Sequence, residues 1–322
     1  MYTTVKSMPR LLMSAKLIPV QGERFQPTGF PDIGAATYFL SDGSSRLLVE
    51  STQSMANRLE ATIVKHDGTL IDELKGLSWI RVHLVGEAES WTSSLVEAHR
   101  INSPYIIESS KEFQKMLTEE MGYRRGLLID WQKVAKTLFK YDINSLLHGI
   151  FMSNVEDGRI KLPRIISAFI EAEDIREAAY GGVKNNAMDP KGELRSANYD
   201  KDVYGNVPYS RTEYTAGAIT ASFNIDMNMI NNLGLEEVQK DLLVNLALLK
   251  IRLFLEKGLR LRTACDLYLE EDIKGPAGIP SSAELMKSCQ DLIAKCSGYF
   301  AAPSVTELEC TIKIKAKKSE EE

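Results

Sequence analysis

The stretch from Glu50 to Glu60 is rich in hydroxyl, amide and guanidinium groups, which can bind an anion. It follows a short apolar run, Leu47 to Val49, which predicts a buried strand. Ser51 or Thr52 is the residue type that caps a helix, so the sequence predicts a strand leading into a helix. The free N–H groups at such a helix start favour anions, and phosphate above all. An ordinary capped amphipathic helix without a ligand is the alternative.

Helical spacing gives this segment a buried side and an open side. Met55, Leu59 and Ile63 recur every four residues and predict a stripe that packs against the core. The polar side chains between them are then placed to face a ligand. They are Gln53, Asn57 and Arg58.

A loop that precedes this strand is a second candidate for binding. Residues Gln21 to Gly34 contain three glycines and two prolines, which excludes regular structure. Loops of this kind often bind ligands, and we expect this one to meet the helix start at a common site. Its candidate binding residues are Arg24, Gln26 and Thr28, beside Phe25 and Phe30, which we expect to be exposed.

A polar, turn-rich segment from Glu173 to Tyr214 is the third candidate. Such a long segment without apolar periodicity is either disordered or functional. Its regularly spaced tyrosines offer faces on which nucleobases can stack, and cations alternate with them. Acidic residues balance these cations, so the segment is not a polybasic tail. The tyrosines are Tyr180, Tyr199, Tyr204, Tyr209 and Tyr214, and the cations include Lys184, Arg195, Lys201 and Arg211.

Composition places the chain among soluble globular proteins, since 44% of its 322 residues are hydrophobic and 26% are charged. That length suits one large domain with insertions or two ordinary domains. No apolar run approaches the roughly 18 residues that span a bilayer, and Met1 to Arg10 has no secretory apolar region. We therefore expect a cytoplasmic protein without a membrane partner.

The net charge of −5 argues against nonspecific coating of nucleic acid, because that binding depends on cationic side chains. A local basic groove is still possible, since residues 1–31 are net positive and the acids lie elsewhere. The pair Arg124-Arg125 is either a basic contact or a solvated turn.

No metal or cofactor site is expected from the cysteines and histidines. The cysteines form no CxxC pair and have no nearby histidine, so we expect reduced, mostly structural thiols. The scattered histidines fit neither a zinc motif nor a Ser-His-Asp triad. These residues are Cys265, Cys289, Cys296 and Cys310, and His66, His83, His99 and His148.

Apolar patterning predicts further elements around these candidates. The clearest is a long helix between Gly234 and Gly258, with leucines three and four residues apart. Helices are also predicted over Ser110–Met121, Leu127–Phe139, Ile143–Phe151 and Ser281–Cys296, and strands over Arg10–Val20, Trp79–Val85, Pro163–Ala172, Thr215–Met229, Leu259–Leu269 and Val305–Ile314. This order can be written as a ferredoxin-like sheet with long insertions.

Three motifs carry a resemblance to a known family: residues 19–34 (PVQGERFQPTGFPDIG), 49–60 (VESTQSMANRLE) and 207–217 (VPYSRTEYTAG). With them the chain closely resembles the CRISPR-associated RAMP-superfamily backbone subunit of Cascade, the seventh Cas protein family, in its type I-G (formerly I-U) branch. The resemblance implies an α+β fold with an RRM/ferredoxin-like palm, a large inserted finger region and a protruding thumb.

The implied domains are the first half of the palm with the binding loop and helix (1–64), the inserted finger region (65–125), a palm and helical segment (126–172), the thumb (173–214), the second half of the palm (215–270), and a C-terminal helix, strand and tail (271–322).

The implied function is non-catalytic binding of CRISPR guide RNA. Copies of the chain would oligomerise along the guide in a helical backbone, contact other Cascade subunits and reach target DNA through the guide, for antiviral DNA interference. Met188 would be the thumb wedge that displaces a guide base. The implied RNA-binding residues are Arg24, Phe25, Gln26, Thr28, Ser51, Gln53, Ser54, Asn57, Arg58, Lys184, Tyr209 and Arg211.

Two alternatives belong to other classes. Related subunits cut target RNA with a loop aspartate, and Asp32 would make this chain a metal-dependent endoribonuclease in which magnesium activates water. Asp32 could equally hold a turn. The glycine-rich loop of the family is represented only by Gly275 and Gly278, which argues against guide processing. A globular protein without a nucleic-acid role would leave the tyrosine-rich segment unexplained.

Overall fold

The computed structural model describes residues 1–30, 32–86, 89–108, 110–194, 205–276 and 278–313. Its α-helices are α1 (Tyr2–Val5), α2 (Thr52–Ala61), α3 (Pro104–Ile107), α4 (Lys111–Met121), α5 (Trp131–Tyr141), α6 (Ile143–His148), α7 (Met227–Asn232), α8 (Glu237–Lys257) and α9 (Ser282–Lys295). Short 3-10 helices cover Asp72–Leu74, Arg100–Asn102 and Ser297–Tyr299.

The strands are β1 (Leu11–Pro19), β2 (Gly29–Phe30), β3 (Gly34–Ala35), β4 (Thr37–Phe39), β5 (Ser45–Glu50), β6 (Trp79–Gly86), β7 (Ser90–Ser93), β8 (Ile150–Phe151), β9 (Lys161–Leu162), β10 (Ile166–Glu173), β11 (Arg176–Lys184), β12 (Val207–Thr215), β13 (Ala218–Ile225), β14 (Arg260–Arg262), β15 (Cys265–Leu269) and β16 (Val305–Ile312). The fold is therefore a mixed α+β fold, as the sequence predicts.

A seven-stranded antiparallel sheet organises the chain, in the order β14-β15-β1-β13-β10-β5-β4. Its central strands alternate between buried and more exposed residues, as in β1, where Leu11, Met13, Ala15 and Leu17 are buried. One face of the sheet therefore carries the core, as period-two alternation predicts.

Helix α8 is the central helix of that core. It is apolar around most of its circumference, and residues 242–252 are all buried. A helix that is apolar on every side must be enclosed, and α8 contacts the sheet as well as α1, α2 and α9. The predicted helix between Gly234 and Gly258 is confirmed.

A second, three-stranded sheet has the order β16-β6-β7, in which β16 runs parallel to β6. The last described strand of the chain thus completes the sheet of the segment after residue 65. The predicted strand over Trp79–Val85 and the predicted helix over Ser110–Met121 are both confirmed.

The segment from Glu173 to Tyr214 contains more regular structure than its sequence indicates. Strands β11 and β12 pair over nine positions, from Arg176 opposite Thr215 to Lys184 opposite Val207, and form a two-stranded ribbon. Most ribbon side chains are exposed or half-buried, and only Glu213 and Tyr214 are buried. A strand with solvent on both faces needs no apolar alternation, so periodicity could not reveal it.

Two predicted strands need correction. The segment Leu259–Leu269 is a hairpin of β14 and β15 whose register shifts between Arg260 and Arg262. The strand predicted to continue to Met229 ends at Ile225, because the side chain of Asp226 accepts the Met229 N–H and caps α7.

We predict that Leu246→Ala in α8 lowers the free energy of unfolding by about 2–5 kcal/mol, because Leu246 is fully buried and its truncation leaves a cavity. Leu12→Ala on β1 is the matched control, since Leu12 is 61% exposed, and it should change stability by less than about 0.5 kcal/mol. Urea unfolding of both variants measures the difference. Equal effects would contradict the placement of α8 at the centre of the core.

Candidate nucleic-acid interface

The start of α2 forms as the sequence predicts. The side chain of Ser51 accepts the N–H of Ser54 at 3.2 Å, which makes Ser51 the N-cap. The predicted stripe of Met55, Leu59 and Ile63 is buried. Gln53 and Asn57 are exposed, while Ser51 and Ser54 are half-buried. The hydroxyl and amide groups of this helix start are therefore available at the surface.

A buried carboxylate lies directly before this helix. Strand β5 has an extra residue where it pairs with β10, because Leu48 opposes Glu171 while Glu50 opposes Ile170. Such a bulge breaks the alternation of side chains, and both Val49 and Glu50 are buried as a result. The Glu50 carboxylate therefore points inward at the strand-to-helix junction.

Two arginines neutralise Glu50. Its Oε1 accepts from Arg58 Nη2 at 3.0 Å and from Arg262 Nη2. Arg58 also donates to the carbonyl of Leu261 at 2.8 Å, and Arg262 donates to the carbonyls of Gln26 (3.0 Å) and Val49 (2.8 Å). We call Glu50, Arg58 and Arg262 the Glu50 clamp. It joins α2, the loop after β1 and the β14–β15 hairpin.

The expected outward direction of Arg58 needs correction. Its guanidinium contacts Glu50 and the Leu261 carbonyl, and the side chain is only 26% exposed. Burial of a carboxylate requires a paired cation, and Arg58 is two turns along the helix from Glu50. Whether Arg58 also contacts RNA stays a prediction.

The expected exposure of Phe25 is wrong. The ring is 1% exposed, and the Phe25 backbone N–H and C=O each pair with Tyr214 at 2.9 Å. Further backbone bonds run from Gln26 N to the Ala264 carbonyl (2.7 Å) and from Thr28 N to the Val49 carbonyl (3.2 Å). Phe25 thus anchors the loop in the core. The side chain of Phe30 lies outside the described part of the chain.

The loop and the base of the ribbon enclose a groove of about 760 Å³. Gln26 and Thr28 line it from the loop, Arg211 and Thr212 from β12, and Arg262 from the clamp. The structure therefore brings together two of the predicted binding regions, and the Glu50 clamp holds the third, the start of α2, beside them.

The two faces of the ribbon differ in chemistry. The register places Tyr180 opposite Arg211 and Gly182 opposite Tyr209, so these side chains share one face with Lys184. The Arg24 guanidinium lies 4.8 Å from the Tyr180 ring centroid, and that of Arg211 lies 5.7 Å from the Tyr209 centroid. We call this the cationic-aromatic face. The opposite face carries Glu177 and Tyr214 near the base and otherwise small or uncharged side chains, namely Ala179, Gly181, Val183, Pro208, Ser210 and Thr212.

Gly182 lies under the Tyr209 ring. A Cβ atom at Gly182 would lie 2.9 Å from the Tyr209 hydroxyl and 3.1 Å from its Cζ. The ring therefore covers the glycine and still has 47% of its surface exposed. The sequence contains the pair Gly181-Gly182, but its position opposite Tyr209 depends on strand pairing, so the sequence alone does not reveal this arrangement.

The outer turn of the ribbon presents Met188, which is 85% exposed. The Asn186 side chain accepts from the N–H groups of Met188 (3.1 Å) and Asp189 (3.0 Å). The Asp189 carboxylate accepts from Glu193 N (3.0 Å) and Leu194 N (2.9 Å). The turn that carries Met188 is thus held by side-chain bonds to its own backbone. Arg195, Tyr199, Lys201 and Tyr204 lie outside the described residues.

The described residues contain no cluster suited to a metal, no disulfide bond and no membrane-spanning helix. Asp32 is exposed, and no cluster of three or more His, Cys, Asp or Glu side chains suited to a metal occurs within the described ranges. The four cysteines are buried and unbonded, and burial raises the pKa of Cys289 to about 12. Within the same ranges no helix has the length and apolarity needed to cross a membrane.

The sequence model of the family described as "CRISPR-associated protein GSU0053" matches residues 11–177, which is more than half of the chain. The chain belongs to this family. The matched part contains the loop, α2 and two members of the Glu50 clamp, Glu50 and Arg58. No curated protein matches the sequence.

Solved structures that are similar to the chain include two from CRISPR systems. A chain of a CRISPR RNA-guided surveillance complex in a pre-nicking state has a TM-score of 0.42 and 11% sequence identity, over 90% of this chain and 89% of that chain. Csc2 of Thermofilum pendens has a TM-score of 0.30 and 10% identity, over 91% of this chain and 79% of that chain.

We predict that Glu50→Gln lowers the free energy of unfolding by about 3 kcal/mol, because it leaves two partly buried arginines without a negative partner. Amide hydrogen exchange at Gln26 and Thr28 should accelerate, since Arg262 holds their loop. Asp72→Asn is the control: it removes an exposed partner of Lys65 and should leave both readouts unchanged. Faster exchange in the control variant, or unchanged exchange in Glu50→Gln, would contradict the assigned role of the clamp.

Proposed function

We propose that the protein is a non-catalytic backbone subunit of a CRISPR effector complex of the Cascade type, in which several copies bind along the guide RNA. Membership in a CRISPR-associated family supports the setting. The observation that carries the RNA-binding role is the cationic-aromatic face of the ribbon, which stands beside the anchored loop and the capped start of α2. The type I-G branch is part of the proposal.

The order of elements supports an RRM-like palm. Six elements occur in the chain in the order β1, α2, β10, β13, α8 and β15, with the other elements inserted between them. In the sheet, their strands lie in the order β15-β1-β13-β10. This is the topology of a ferredoxin-like sheet, with two helices on one face. The sheet of β16, β6 and β7, with α3 and α4, would form the finger region, and the ribbon would form the thumb.

Each part would contact a different portion of the guide. The Ser51 hydroxyl can still donate a hydrogen bond, and the Gln53 and Asn57 amides are exposed, so the start of α2 suits phosphate oxygens. Tyr180 and Tyr209 offer stacking faces, with Arg24 and Arg211 next to them. Such contacts are largely independent of base sequence.

Met188 fits the role of a wedge. Its side chain is apolar and exposed, and its turn is held by hydrogen bonds from backbone N–H groups to the side chains of Asn186 and Asp189. Apolar side chains that insert between bases unstack them, and a fixed turn reduces the entropy lost on insertion. A guide held in this way would leave its bases to pair with target DNA, which supplies target choice. Other Cascade subunits would complete a cytoplasmic complex.

Protein purified from cells that supply the CRISPR array should carry RNA. We expect a raised ratio of absorbance at 260 to 280 nm that falls after nuclease treatment, and RNA of uniform length after extraction. RNA-free monomer from the same cells would overturn the proposal.

Incubation of the assembled complex with complementary RNA and magnesium should leave that RNA intact. Cleavage that is lost in the Asp32→Ala variant would support the ribonuclease alternative.

The ribbon faces provide a matched pair of variants. We predict that Lys184→Gln with Arg211→Gln weakens binding of single-stranded RNA about tenfold and lowers the salt slope by roughly 1.4, since each contact contributes about 0.7 for single strands. Val183→Gln alters an exposed neighbour on the opposite face and should change neither quantity. Fluorescence anisotropy at several salt concentrations measures both, and equal effects in the two proteins would remove the cationic-aromatic face from the RNA site.

A further inference from the structure

A second groove, of about 650 Å³, runs along the start of α2. Gln53 lines it from α2, Lys161 lines it from β9, and Arg164 lines it from the segment before β10. Arg100 and His148 lie deeper, at 8% and 1% exposure. No described residue that lines this groove is acidic, although the whole chain has a net charge of −5.

The cations of this groove are only partly neutralised. Arg100 donates to Glu60 at 2.5 and 2.7 Å, and to the carbonyl of Gly149 at 3.0 Å. Arg164 donates to the Thr52 carbonyl (3.3 Å) and to the Gln53 side chain, both of which are neutral. Among the described contacts, Arg100 therefore has a carboxylate partner, Glu60, whereas Arg164 contacts only neutral acceptors.

A buried lysine lies behind the groove. Lys250 Nζ donates to Asn144 Oδ1 at 2.6 Å and lies 2.8 Å from His148 Nε2. Burial, together with the Arg100 cation, lowers the pKa of Lys250 to about 7, although the carboxylates of Glu60 and Asp142 act in the opposite direction. Burial lowers the pKa of His148 well below its usual range, and Lys250, Arg100 and Arg164 act in the same direction. Burial and Arg100 lower the pKa of Arg164 as well. Each of these groups is thus repelled by another cation.

His148 carries an unused polar atom. Its ring is 1% exposed, and Nδ1 has no hydrogen-bond partner within the described part of the chain. The Lys250 nitrogen contacts Nε2, so Nδ1 is the ring nitrogen that is left without a described partner. A buried polar atom without a partner is costly.

We propose that this groove binds the phosphodiester backbone of a nucleic-acid strand, with Lys161 and Arg164 on phosphate oxygens. The inference rests on the proposed function and adds a second contact region, separate from the groove at the ribbon. Exposed Phe151, with Lys161 Nζ 5.6 Å from its ring centroid, offers a stacking face beside the cations. That pairing suits a single strand more than a small inorganic anion.

The strand is either the guide or the target, and the same variants distinguish them. Lys161→Gln with Arg164→Gln removes two rim charges, and Lys287→Gln with Lys295→Gln on α9 removes two exposed charges elsewhere. One arm titrates labelled single-stranded RNA into each purified protein. The other titrates complementary single-stranded DNA into complexes assembled with the guide. Thermal unfolding confirms that each variant is folded.

We expect about tenfold weaker binding of one strand by the groove variant, with a salt slope lower by roughly 1.4, and no change in the control. Weaker RNA binding assigns the groove to the guide, whereas unchanged RNA binding with weaker DNA binding assigns it to the target.

Equal binding of both strands by groove variant and control overturns the inference and leaves the proposed function intact. RNA-free wild-type protein that still binds added strands through Lys161 and Arg164 would overturn the proposed function alone. Because Arg164 contacts Gln53, Lys161→Glu alone is the second variant, and it should weaken the same strand.

Discussion

The arrangement of the candidate interface depends on one buried carboxylate. Glu50 lies at 1% exposure where β5 meets α2, and a charge in that position is tolerated only when cations pair with it. Arg58 and Arg262 are those cations, and their other donors reach the Leu261, Gln26 and Val49 carbonyls. Because all these bonds share one centre, the helix start, the loop and the β14–β15 hairpin hold fixed positions relative to one another.

The ribbon joins the same framework through its base. Tyr214 on β12 exchanges two backbone hydrogen bonds with Phe25, whose ring is buried in the core. Beyond Tyr214 the ribbon makes few buried contacts, so its outer residues are free to bind a ligand without loss of core packing. A rigid base with exposed cationic and aromatic side chains is an arrangement suited to holding a flexible single strand.

Local patterns in the sequence predicted the elements that local physics determines. The Ser51 cap, the stripe of Met55 and Leu59, and the buried helix α8 are confirmed, because capping and periodicity act within a few residues. The burial of Phe25 and the inward direction of Arg58 could not be predicted, since Tyr214 and the bulge that turns Glu50 inward depend on distant pairing. For the same reason the sequence did not reveal the groove of Lys161, Arg164 and His148, whose members come from separate elements.

The cationic-aromatic face of the ribbon and the start of α2 should contact one RNA strand. Ultraviolet crosslinking of the RNA-loaded protein, followed by mass spectrometry of nuclease-treated peptides, measures this contact. We expect crosslinks at Tyr180 or Tyr209 and in the peptide that contains residues 51–57. Crosslinks confined to α9 and to the sheet of β16, β6 and β7 would contradict it.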